Sequence, residues 1–142
     1  PSVTEHHEAS IRLITDDYKN NTDEKYDMTA ALFVLDDQGD LGVCILAGNG
    51  NPMDLIPTAL QAVSTRATPV VASFASATIQ RDPDTGDVTD EGLIIVTESP
   101  TERVSTVFKV ARNPLPTLVE RNDSNDIVMR VKMLFDSDHK VH

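Results

Sequence analysis

The residue types that most often carry chemistry are few in this chain and unevenly placed. Its four histidines are His6, His7, His139 and His142, and its single cysteine is Cys44. General acid–base or nucleophilic catalysis needs such a group held in fixed geometry beside a partner. All four imidazoles lie near the chain ends, where geometry is hardest to fix. A Ser-His-Asp site requires a terminal histidine to fold back onto the body of the protein, where Ser73 and Ser76 read as small residues of a strand. Neither serine sits in a Gly-x-Ser-x-Gly elbow. Metal binding through imidazole requires His6 and His7 to meet His139 and His142, and no His-x-x-x-His spacing supports that meeting. Cys44 lies in the apolar run 41–47 and reads as a small buried hydrophobe rather than a nucleophile. The residues therefore predict no catalytic group and no cofactor.

Carboxylates offer the other route to a site. The segment 82–91 alternates acids with Pro83 and Gly86, and oxygen ligands in such a loop can wrap a calcium ion. Asp82, Asp84 and Asp87 are the candidate metal ligands. The match to a calcium loop is incomplete: Asp82 and Asp84 take the first and third places, but Gly86 arrives one residue early and the later acids are displaced. The simpler reading is a hairpin turn in which Pro, Gly and Asp serve backbone geometry. Asp36, Asp37 and Asp40 form a second turn cluster of the same kind. The segment 48–54 precedes a helix, but it lacks the Lys-Ser/Thr of a phosphate loop, and Asp54 opposes an anion at the helix start.

The elements that must position these groups follow from periodicity. A helix is predicted from Thr4, as N-cap, to about Tyr18, with Ile11, Ile14 and Tyr18 on one stripe. The segments 29–35 and 41–47 form a β-hairpin whose turn uses Gly39 at positive φ. A helix follows from Asp54 to Ser64, with Leu55, Leu60 and Val63 facing the sheet. Three extended segments, 69–79, 93–97 and 103–111, form a meander that Pro114 and Pro116 stop. The segment 127–135 reads as helix or strand, with helix preferred. The fold class is α+β: a single mixed or antiparallel sheet of about five strands with two or three helices packed on it, in the order α-ββ-α-βββ and then a last helix or strand. This order resembles the roadblock or profilin-like arrangement of small binding and scaffolding domains. The resemblance lies in the order of elements and brings no functional residue with it.

Length and composition bound the rest. A chain of 142 residues fits one domain, 1–142, with a core large enough to stand without staples. Aromatics are only 4% and Trp is absent, so Val, Ile, Leu and Ala must fill that core. The formal net charge of -11 repels phosphate backbones and anionic lipid, which argues against nucleic-acid and membrane partners. No apolar run approaches the roughly 18 residues of a membrane helix, and the polar segment 1–8 does not read as a secretion signal. The expected location is cytoplasm or virion. Together these features predict a non-enzymatic binding or assembly subunit with protein partners, a homo-oligomer or part of a larger assembly. A structural protein of a tailed-phage virion or another multi-copy complex is the setting. The alternative is a small enzyme or ligand- or metal-binding domain that uses the acidic loops 48–54 and 82–91.

Overall fold

A computed structural model describes residues 2–121 and residue 135 of the chain. The segment 127–135, apart from Phe135, lies outside the described residues, as do His139 and His142. The first helix, α1 (Val3–Asn20), starts two residues earlier than the Thr4 cap predicts. Ser2 is the N-cap, and its hydroxyl accepts a hydrogen bond from the Glu5 amide at 3.1 Å. The earlier start adds about half a helical turn and brings Val3 onto the buried face. Val3, His7, Ser10, Ile14 and Tyr18 recur at helical spacing and are all buried, with His6 beside them.

Six strands flank the second helix, α2 (Ile56–Ser64): β1 (Ala31–Asp36) and β2 (Leu41–Ile45) before it, and β3 (Pro69–Arg81), β4 (Val88–Glu98), β5 (Arg103–Arg112) and β6 (Pro116–Arg121) after it. They form one fully antiparallel sheet in the order β2-β1-β3-β4-β5-β6. The expected element order holds through β5, and the fold is α+β. Among the described residues the sheet has six strands rather than about five, and it contains no parallel pair. The added strand is β6. Prolines in 113–116 signal a stop, yet Pro116 is the first residue of an edge strand, where a missing amide removes no ladder hydrogen bond. Asn113-Pro114, a cis peptide, lies in the turn that joins β5 to β6.

Each face of the sheet carries one core. Leu32, Val34, Phe74, Ile94 and Val96 pack with Ile56 of α2 on one side. Phe33, Ala75, Leu93, Ile95 and Phe108 pack with Ile14 and Tyr18 of α1 on the other. Helix α2 departs from its expected phase. A 3₁₀ turn, Pro52–Leu55, capped by Asn51, precedes it, so Ile56 points inward and Leu55 is exposed. Leu60 and Val63 do face the sheet. The hairpin turn between β1 and β2 takes the predicted form, with Gly39 at φ 84.

One arginine ties the connection before β1 to the sheet. Arg112, at the end of β5, donates from Nε and one terminal nitrogen to the two oxygens of Glu91, at 2.9 and 3.1 Å. The same terminal nitrogen reaches Asp27 Oδ1 at 2.8 Å, and the other donates to the carbonyls of Glu24 and Tyr26. A planar fork serves these acceptors in a way that a point charge cannot. Tyr26, held in this way, stacks edge-on against Tyr18 with centroids 5.0 Å apart and donates its hydroxyl proton to Asp17. Arg112→Lys is expected to lower the unfolding free energy by about 2 kcal/mol, the cost of losing one or two charge-assisted hydrogen bonds, as read by urea denaturation. A variant as stable as the natural chain would mean that the loop holds itself.

Candidate functional site

The docking of α1 on the sheet changes what the N-terminal histidines do. Sequence position suggests tails that cannot be aimed; docking of the first two turns of α1 on the sheet aims both rings inward. His6 and His7 are 8% and 7% exposed. His6 donates from Nε2 to the Phe33 carbonyl at 3.1 Å. His7 lies between two hydroxyls, with Nδ1 2.6 Å from Thr97 Oγ1 and Nε2 2.8 Å from Thr106 Oγ1. Thr97 in turn lies 2.6 Å from Ser73 Oγ, and Ser73 lies 2.9 Å from Ser10 Oγ. Ser10 Oγ is also 2.9 Å from the His6 carbonyl.

Ser10 Oγ is the donor both to the His6 carbonyl and to Ser73 Oγ. Ser73 and Thr97 continue the line to His7, and because each hydroxyl can both donate and accept, the line accommodates either neutral tautomer of His7. Burial pushes the pKa of both histidines down; for His7 the neighbouring Glu8 opposes that effect and His6 adds to it. Burial therefore favours the neutral imidazole at both positions.

The composition of this network is that of a Ser-His pair, but its exposure is not. Ser73 and Thr97 are 0% exposed, so no reactant reaches either oxygen from solvent. No carboxylate takes part in it. The arrangement holds the first two turns of α1 in place on β3, β4 and β5. A sequence signal for it existed: His7 precedes Ile11 and Ile14 by four and seven residues, which puts it on the apolar stripe. Polarity and terminal position obscure that phase.

The acidic candidates stay apart. Asp82 Oδ1 accepts from the amides of Asp84 and Thr85 at 2.7 and 3.1 Å, and Gly86 turns the chain at φ 75. Asp87 closes the same turn, its carbonyl accepting from the Asp82 amide at 2.8 Å. Asp82 therefore shapes a hairpin between β3 and β4. Among the described residues no group of three or more His, Cys, Asp or Glu is placed to hold a metal ion. The segments 48–54 and 82–91 lie at the same end of the sheet without converging. Ile45 is level with Ala75, through Ala31, and the β3–β4 hairpin runs on for six more residues to Arg81, roughly 20 Å of strand. Asp36 repeats the turn role, its Oδ1 accepting from the Gln38 and Asp40 amides. Cys44 is half-buried on the opposite face from the histidines, against the α2 core.

The remaining feature is a surface, and sequence alone did not locate it. Helix α1 lies across β3 to β6, and α2 across β1 and β3. Among the described residues, no element covers the α1 side of β2. Leu41, Val43 and Ile45, which pair with Leu35, Phe33 and Ala31, are 51%, 53% and 62% exposed. A groove of about 420 Å³ runs between Val43 and Ile45 on one side and α1 on the other, walled by Leu13 and Asp17 and floored by Ala31 and Phe33. Leu13 is itself half exposed. No helix among the described residues is long and apolar enough to cross a membrane.

The histidine pKa values set a pH dependence. Both folded values lie below the ordinary 6.5. Between the folded value and 6.5 the unfolded chain binds more protons, so the contribution is complete above 6.5 and is lost as pH falls through that window. The urea midpoint is expected to drop between pH 7.5 and 5.5, and His6→Gln with His7→Gln is expected to flatten that drop while lowering the plateau. An equally steep drop in the double variant would assign the effect to other groups.

No family model matches the chain, and no curated protein or solved structure matches it, so the resemblance to roadblock and profilin-like domains goes no further than the order of elements.

Proposed function

We propose that the chain works by surface shape, as a non-enzymatic binding or assembly subunit of a virion or other multi-copy complex, and that the β2 end of its sheet is the binding face. The observation that carries this reading is the uncovered apolar stripe of Leu41, Val43 and Ile45 beside Leu13. Large aliphatic side chains gathered on one exposed strand, next to a groove, mark a contact surface more often than a solvated one. The fate of the reactive groups supports it. His6, His7, Ser10, Ser73 and Thr97 spend their hydrogen bonds on one another and on the backbone, and Arg112 spends its own on Glu91, Asp27 and the loop before β1. These groups hold the scaffold, and what the scaffold presents at β2 is an apolar surface.

The test is native mass measurement of the tagged chain isolated under mild conditions from its own cells. The natural sequence is expected in a species heavier than one chain. Val43→Lys with Ile45→Lys, both on exposed positions, is expected to melt at an unchanged temperature and to run as a single chain. A natural chain that is monomeric throughout removes the assembly reading. A double variant that stays in the heavy species moves the binding face elsewhere.

A further inference from the structure

The two edges of the sheet are built differently. The β6 edge begins at Pro116 and carries Glu120 and Arg121. Proline and charge on an edge strand discourage a further strand from pairing with it. The β2 edge, Leu41–Ile45, carries neither proline nor charge, and the register shows no bulge between it and β1. On a chain of net charge -11 it is a neutral, extended, unguarded stretch.

The hydrogen-bond parity of β2 sharpens this contrast. The Asp36 amide donates to the Asp40 carbonyl at 3.0 Å, and the Leu46 amide to the Ala30 carbonyl at 2.8 Å. Hydrogen-bonded pairs alternate along an antiparallel ladder, so the even-numbered residues of β2 bond to β1. The amides and carbonyls of Leu41, Val43 and Ile45 therefore point outward along an edge that no described strand pairs with. These three residues also carry the exposed side chains.

We infer that β2 pairs antiparallel with β2 of a second copy, about a two-fold axis at Val43, joining two six-stranded sheets into one of twelve. Deepening the binding-face reading above, on which it rests, this arrangement names the partner. A strand of five residues whose middle residue points outward is its own complement: Val43 meets Val43, Leu41 meets Ile45, and all six outward backbone groups are paired. Charge selects the same register. Antiparallel pairing sends the acidic turns at Asp36, Asp37 and Asp40 to opposite ends, with Asp40 level with the other copy's Leu46, whereas parallel pairing sets the two turns side by side. The contact is smaller than the roughly 800 Å² per partner of a standard interface, so the dimer exchanges and depends on concentration. The two copies repel through the rest of their surfaces, so salt strengthens the pairing by screening; a basic partner at the same edge would be weakened by salt.

The experiment is disulfide trapping of the purified chain in a Cys44→Ser background, together with sedimentation of the natural sequence. Hydrogen-bonded antiparallel partners have Cα atoms about 5.5 Å apart, within the roughly 4.4–6.8 Å that a disulfide spans. Val43→Cys is expected to cross-link to a dimer under mild oxidation and Leu41→Cys to stay monomeric, because residue 41 faces residue 45. The natural chain is expected to show a monomer–dimer equilibrium that tightens several-fold at high salt. Equal cross-linking at 41 and 43 overturns the antiparallel register. A natural chain that remains monomeric to about 1 mM, the weak limit of specific association, overturns self-pairing. If it does so while Val43→Lys still releases the chain from its heavy species in cells, the binding face stands and only the second copy is wrong.

Discussion

The seating of α1 depends on one unbroken chain of hydrogen bonds running from Thr106 through His7, Thr97, Ser73 and Ser10 to the His6 carbonyl. Hydrophobic contact alone would let the helix slide or rotate over a flat apolar sheet at small cost. A buried polar group that loses its partner costs about 1–3 kcal/mol, so a line of such groups leaves one position in which all are satisfied. The line crosses β3, β4 and β5, and so it fixes both the rotation and the axial position of α1. Burial of the His7 ring lowers its proton affinity and favours the neutral form within this line.

That placement has a consequence at the far side of the sheet. A helix centred over β4 cannot reach β2, three strands away at about 4.8 Å each. The apolar residues of β1 on the α1 side, Ala31 and Phe33, are buried, but those of β2 are not. Helix α2 lies on the other face and cannot compensate. Among the described residues, one helix serves six strands on that side, and the open stripe of β2 is the geometric result. Natural edges are usually guarded by charge, proline or a bulge. β6 follows that practice, and β2 does not. The difference between the two edges bears more on function than the total of exposed apolar area does.

Sequence patterning determined much of this architecture. The two hairpin turns, at Gly39 and around 82–87, are written in Asp, Gly and Pro, because those residues satisfy local backbone needs whatever the rest of the chain does. The apolar runs of β1, β3 and β4 are legible because strands buried on both faces are largely hydrophobic, and β5 is legible from the alternation of Val104, Thr106, Phe108 and Val110. The acid-rich turns were also legible as turns, since Asp82 and Asp36 each bond to amides within a few residues of themselves. Local chemistry of this kind requires no knowledge of the fold.

Tertiary structure alone decided the rest. The histidines near the N-terminus became buried because a helix beginning at Ser2 docks on the sheet, and no local signal says what an N-terminal segment packs against. Strand β6 exists because β5 offers it an edge; its own sequence, with Pro116 at its head, reads as an interruption. Arg112 gained its acceptors from Glu24, Tyr26, Asp27 and Glu91, residues as many as 88 positions away. The binding face proposed at β2 is of the same kind. Leu41, Val43 and Ile45 look like core residues in the sequence, since hydrophobic alternation specifies a buried face without saying whether another element arrives to cover it.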